Sequence, residues 1–181
     1  MNVESSPGQL VQAAGNQDAT LRGLSAHRKR ARTRIPWGTL LVLVAVAYLQ
    51  WPMLKGVFYR AAGIAAPASS IAWREDFNTA TAEAKATDKP VLLVFSAAWC
   101  PPCNAMKHDV WPDAAVSRVV NRDFVPVYVD VDNPASSAVA RRYGISGIPA
   151  VLVVDANGEV IRRESYMSRS KALDFLGAGA A

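Results

Sequence analysis

Residues 91–107 read VLLVFSAAWCPPCNAMK. The run Val91–Ser96 is short, continuous and apolar, the pattern of a strand buried on both faces. Cys100-Pro101-Pro102-Cys103 follows at once and is expected to open a helix through about Val110. A cysteine at the start of a helix meets unpaired amides and the positive end of the macrodipole, both of which favour an anion. The thiolate is the nucleophilic form of cysteine, so Cys100 is the candidate nucleophile. Cys103, one turn further in, is expected to be more buried and to act as the resolving thiol. A passive disulfide is the competing reading, but a crosslink closing so short a loop removes little chain entropy.

The same alternation extends outward on both sides. Upstream, Trp73, Phe77, Ala80 and Ala84 fall on one helical face, and Lys89-Pro90 ends that helix. Downstream, Trp111-Pro112 breaks the cysteine helix. Asp113 is a candidate N-cap for a segment whose apolar face is Val116, Val119 and Val120. Phe124–Val131 reads as a strand, with Pro126 pointing to an edge position. Pro134–Tyr143 reads as a helix with proline at its start and Gly144 as its stop. Two strands, Ala150–Val154 and Glu159–Arg163, flank an Asn157-Gly158 hairpin turn. Ser168 is placed to cap a last helix carrying Ala172, Phe175 and Leu176 on one side. Helices alternating with strands, plus one hairpin, predict an α/β domain with a mixed sheet covered by helices.

The chain has 181 residues and is 51% hydrophobic, 19% charged and 8% aromatic, enough apolar material for one core with appendages. Its net charge of +5 is unevenly spread: residues 1–60 hold eight Lys/Arg against two acids, and residues 61–181 hold twelve against thirteen. A nucleic-acid face needs basic residues clustered on the folded domain, so nucleic acid is excluded as a partner. Two cysteines and two histidines are too few for a disulfide scaffold or a closed four-ligand zinc site.

Ile35–Leu54 reads IPWGTLLVLVAVAYLQWPML, 20 residues without a formal charge. As a helix it would span about 30 Å, the thickness of a bilayer's hydrocarbon core. Trp37 stands near one end and Tyr48 and Trp51 near the other, where aromatic rings favour the interface. Residues 35–54 are therefore read as a single transmembrane helix. Arg22, Arg28, Lys29, Arg30, Arg32 and Arg34 precede it and only Lys55 and Arg60 follow closely. The positive flank stays in the cytoplasm. In a bacterium this places the anchor in the inner membrane and the C-terminal domain, residues 71–181, in the periplasm. A cleaved signal peptide is the rival reading, since AAGIAAPASS follows, but Lys55 and Arg60 intervene. Residues 1–34 are read as a disordered basic cytoplasmic tail and residues 55–70 as a flexible tether.

The segments FSAAWCPPCNAMK (Phe95–Lys107) and YGISGIPAVLVVDANGEV (Tyr143–Val160) resemble the thioredoxin superfamily. The likeness runs from about Trp73 to the C-terminus. It is strongest to the thioredoxin-like domains of exported reductases, such as the C-terminal domain of the transmembrane reductase DsbD. The resemblance implies a thioredoxin-like fold and a thiol–disulfide oxidoreductase, of protein-disulfide reductase type, working through a mixed disulfide. It makes Cys100 and Cys103 the catalytic pair. Pro149 becomes a cis proline facing that pair, with Ile148 as a backbone contact for an extended substrate strand. Trp99 is either a cover over the disulfide or core packing. No cofactor is implied. The partners are protein disulfide substrates, a thiol electron donor, and the membrane through residues 35–54.

Two departures from the family pattern stand out. The position six before Cys100, a buried acid in many thioredoxins, is Val94; Asp130 or Asp132 is a candidate replacement in proton transfer. Pro101 and Pro102 have no amide hydrogen to offer a thiolate, which should stabilise the reduced form less and tune the pair towards reducing power. Cys100, Cys103, Met106 and His108 together raise a second reading, a tethered copper chaperone. His108, however, lies about 140° round the helix from Cys103. A third reading is a non-catalytic thioredoxin-like binding module.

Overall fold

The structure is a computed structural model, and it describes residues 36–177. The expected tail, residues 1–34, lies outside the described residues. Helices α1 (Trp37–Leu49) and α2 (Trp51–Ala61) come first. They are followed by α3 (Phe77–Thr87), β1 (Val91–Ser96), α4 (Pro101–Asp109), α5 (Ala114–Asp123) and β2 (Val125–Asp130). The described residues continue with α6 (Pro134–Arg142), β3 (Ala150–Val154), β4 (Val160–Glu164) and α7 (Arg169–Gly177).

The four strands form one mixed sheet in the order β2-β1-β3-β4. β1 runs parallel to β2 and antiparallel to β3, and β3 runs antiparallel to β4. All six residues of β1 are buried, because helices cover both faces of the sheet. On one face Leu92, Val94, Val151 and Val153 pack with Met106, Trp111, Val116, Val120 and Leu176 from α4, α5, α7 and the loop between them. On the other, Val91, Leu93, Phe95, Val127 and Leu152 pack with Phe77, Ala80 and Ala84 of α3 and with Tyr143. The alternation of side chains along one apolar strand thus feeds two cores.

Local chemistry sets the boundaries. Asp76 caps α3 through its carboxylate and the Thr79 amide at 2.7 Å. Trp73 therefore falls outside the helix on which its spacing had placed it. It stands edge-on to Trp111 and Tyr128 instead, with ring centroids 5.6 and 5.7 Å away. Asp113 caps α5 by accepting from the amides of Ala115 and Val116 at 3.0 and 3.1 Å. Those bonds, that of Val116 foremost, hold its carboxyl below the ordinary range. β2 is an edge strand, as Pro126 requires, and among the described residues its outer side meets only the single bridge of Arg74 to Val127. Gly158 turns the β3–β4 hairpin at φ 89°.

Within the apolar run, the described residues form two helices, broken at Gln50. Among the described residues no single helix is long and apolar enough to cross a membrane; α1 and α2 reach that length only as a pair, bent by 64°. Pro52, in the first turn of α2, has no amide to continue the ladder from α1, which accounts for the break at Gln50. Residues 55–61, expected in the tether, are helical.

Candidate redox site

The carboxyl end of β1 delivers Ala97, Ala98 and Trp99 into the first turn of α4, and Cys100 is the N-cap of that helix. Cys100 and Cys103 are joined as a disulfide, with Cα atoms 5.3 Å apart. The two prolines at the start of α4 carry no amide hydrogen, so Cys103 supplies the first one available. It donates to Cys100 Sγ at 3.3 Å. The carbonyl of Cys100 accepts from the Asn104 amide at 3.0 Å, and the Asn104 side chain ties the loop by donating to Ala98 O at 3.0 Å. A thiolate at Cys100 would thus receive one amide bond from the helix terminus where most N-termini could offer two or three.

The pair packs against Ala97, with Ile148 and Val131 closing the sides. The Ile148–Pro149 peptide is cis, and the Pro149 carbonyl accepts from Ser165 Oγ at 3.1 Å. Trp99 is 54% exposed, which removes core packing as its role. Its indole N–H donates to Asp132 at 3.1 Å. Asp130 and Asp132 are both exposed, and the Asp132 amide donates to Asp130. Neither is a buried replacement for the acid missing at Val94, which is itself sealed in the core at 2% exposure.

The expected difference in burial between the cysteines is absent: Cys100 is 2% exposed and Cys103 4%. Helix α2 lies against α4 and meets the backbone on either side of Cys100. A Cβ on Gly56 would stand 1.7 Å from the Pro101 carbonyl oxygen, so only a residue without a side chain lets the two helices meet. Tyr59 stacks on His108 with centroids 4.0 Å apart and planes 13° apart, and donates to Asp109 at 3.0 Å. Lys55 forms an ion pair with Asp109. Arg60 donates to the Trp99 carbonyl at 3.3 Å. The sequence reading placed Lys55, Gly56, Tyr59 and Arg60 in the tether. The available signal was a glycine inside a helical stretch whose Lys55 and Tyr59 share a face.

The four residues of the copper reading do not converge. Met106 is buried in the core at 1% exposure. The His108 imidazole is occupied by Tyr59, and burial lowers its pKa. Among the described residues no cluster of three His, Cys, Asp or Glu side chains is arranged to hold a metal.

The family profile of the thioredoxin-like domain matches residues 77–180. The chain is 32% identical over 112 residues to the thiol:disulfide interchange protein DsbD of Ralstonia nicotianae, a stretch covering 58% of this chain but only 18% of that relative. A solved thioredoxin from Thermus thermophilus superposes with a TM-score of 0.56 at 31% identity, covering 62% of this chain and 88% of the other. A putative disulphide-isomerase from Bacteroides thetaiotaomicron gives a TM-score of 0.52 at 28% identity, covering 64% and 99%. The chain therefore belongs to the thioredoxin-like family, and its folded region is a domain of the thiol–disulfide oxidoreductase type built around Cys100 and Cys103.

Proposed function

We propose that the chain is a membrane-anchored, periplasm-facing protein-disulfide reductase that uses Cys100 as nucleophile and Cys103 as resolving thiol. The observation that carries this reading is the placement of a Cys-Pro-Pro-Cys pair at the N-terminus of α4, beside a cis proline. In the reduced protein the Cys100 thiolate attacks one sulfur of a substrate disulfide. That bond breaks, a mixed disulfide forms, and the departing substrate thiolate takes a proton from solvent. Cys103, deprotonated, then attacks the Cys100 sulfur and releases the second substrate thiolate. Two electrons pass to the substrate and the Cys100–Cys103 disulfide remains, to be reduced by a dithiol protein. Extended substrate backbone is expected along Ile148, with Trp99 forming the exposed rim.

The reducing direction is supported by the small number of donors to Cys100 Sγ, since a poorly stabilised thiolate makes the dithiol the better electron donor. Anchoring is supported by the uncharged run 35–54, and the exported side by the basic residues that precede it.

The test is insulin reduction by the full chain in detergent, with dithiothreitol as donor. Turnover above the dithiothreitol background, lost in Cys100→Ser, is the expected result. Equal rates for wild type and Cys100→Ser would overturn the proposal.

A further inference from the structure

Helix α2 touches the redox turn on both sides of the nucleophile. Gly56 sits on the Pro101 backbone just after Cys100, and Arg60 holds the Trp99 carbonyl just before it. Further along, Lys55 and Tyr59 clasp Asp109 and His108. With α2 in place both sulfurs belong to nearly buried residues, whereas disulfide exchange needs a partner sulfur to reach Cys100 directly.

The way α2 is held differs from the way the other helices are held. It contributes no residue to any of the apolar clusters around the sheet and the cysteines. Beyond the run 35–54 its large apolar residues, Val57 and Phe58, are 52% and 61% exposed. Lys55 and Asp109 are each about 30% exposed, which makes their pair a weak clasp. A cleft of about 240 Å³, lined by Tyr59, Arg60, Asn104 and His108, runs beside the α2–α4 contact. A segment with little buried apolar surface opens at low cost compared with the whole domain.

We propose that α2 occupies, in the resting chain, the face of α4 on which the disulfide-bearing protein partner docks, and that the partner displaces it to reach Cys100. This face adds Pro101, His108, Asp109 and the Trp99 carbonyl to the Ile148 edge along which the substrate backbone is proposed to run. A partner that binds only the uncovered state draws the chain into that state as it forms the mixed disulfide. This rests on the exchange reaction proposed above, and its test has a readout independent of turnover.

The full chain is reduced, freed of reductant, and treated with iodoacetamide, and the modification of Cys100 is followed by mass spectrometry. Gly56→Leu, which places a side chain where the Pro101 carbonyl stands, should raise the Cys100 alkylation rate about tenfold, in proportion to the open population. Lys55→Glu, which sets two like charges at Asp109, should raise it in the same direction. Phe58→Ala, on the side of α2 opposite Gly56 and 61% exposed, should leave it at the wild-type rate. Unchanged alkylation in both Gly56→Leu and Lys55→Glu, in folded protein, overturns the proposal. Insulin turnover separates this from the exchange reading. Faster alkylation without insulin reduction upholds the cover and sinks the reductase, and insulin reduction with unchanged alkylation does the reverse.

Discussion

Helix α4 is covered on two sides, and the two covers are of different kinds. Inward, Met106 packs at 1% exposure among Leu92, Val94, Val151 and Val153, with Cys103 also buried. Outward, α2 meets it through one glycine, a stacked ring and an ion pair about 30% exposed. The inner contact excludes water over apolar surface contributed by strands distant in sequence, and it is inseparable from folding. The outer contact depends on steric fit and polar clasps, each of small net worth in water. One helix thus belongs to the fold on one side and to a removable layer on the other.

Breaking the inner cover should have the largest effect. Met106→Ala is expected to lower the unfolding free energy by about 2–5 kcal/mol, read by urea titration of tryptophan fluorescence. A loss under about 1 kcal/mol would mean that the two covers are alike. The cap of α5, which packs in the same inner layer, gives a smaller and pH-dependent effect. The Asp113 carboxyl is held below its ordinary value, first by the Val116 amide and then by that of Ala115. A depressed folded-state pKa contributes stability that is full above the ordinary carboxylate range and lost as pH falls through the lowered value. The Tm advantage of wild type over Asp113→Ala should therefore shrink on acidification, and an advantage that grows would contradict this. The smallest change in stability is expected from the outer cover. Lys55→Ala should alter the unfolding free energy by less than about 1 kcal/mol, and a larger loss would place α2 within the cooperative fold.

The same division explains what could be read from the sequence. Features decided within a few residues were legible. The apolar run Val91–Phe95 of β1, the cap at Asp113, the edge position of Pro126 and the turn at Asn157-Gly158 each depend on local chemistry. The redox motif was legible for the same reason, since strand, Trp-Cys-Pro-Pro-Cys and helix are contiguous. Features decided by distant partners were not. Trp73 had the spacing of a helix face, but its place is set by Trp111 and Tyr128, more than thirty residues away. Residues 51–61 read as the end of one apolar run and the start of a small-residue linker. Their packing depends on Pro101, His108 and Asp109, which no local pattern connects to them. The burial of Cys100 was missed on the same ground, because it depends on packing around the motif and not on the motif alone.

The most direct check on the chemistry is to mix reduced Cys103→Ala full chain with a disulfide-bearing protein such as insulin, quench with acid, and map the crosslink by mass spectrometry. A stable mixed disulfide at Cys100, absent from Cys100→Ser, is the expected product. No adduct at Cys100 under conditions where the protein is folded would show that this sulfur is not the nucleophile.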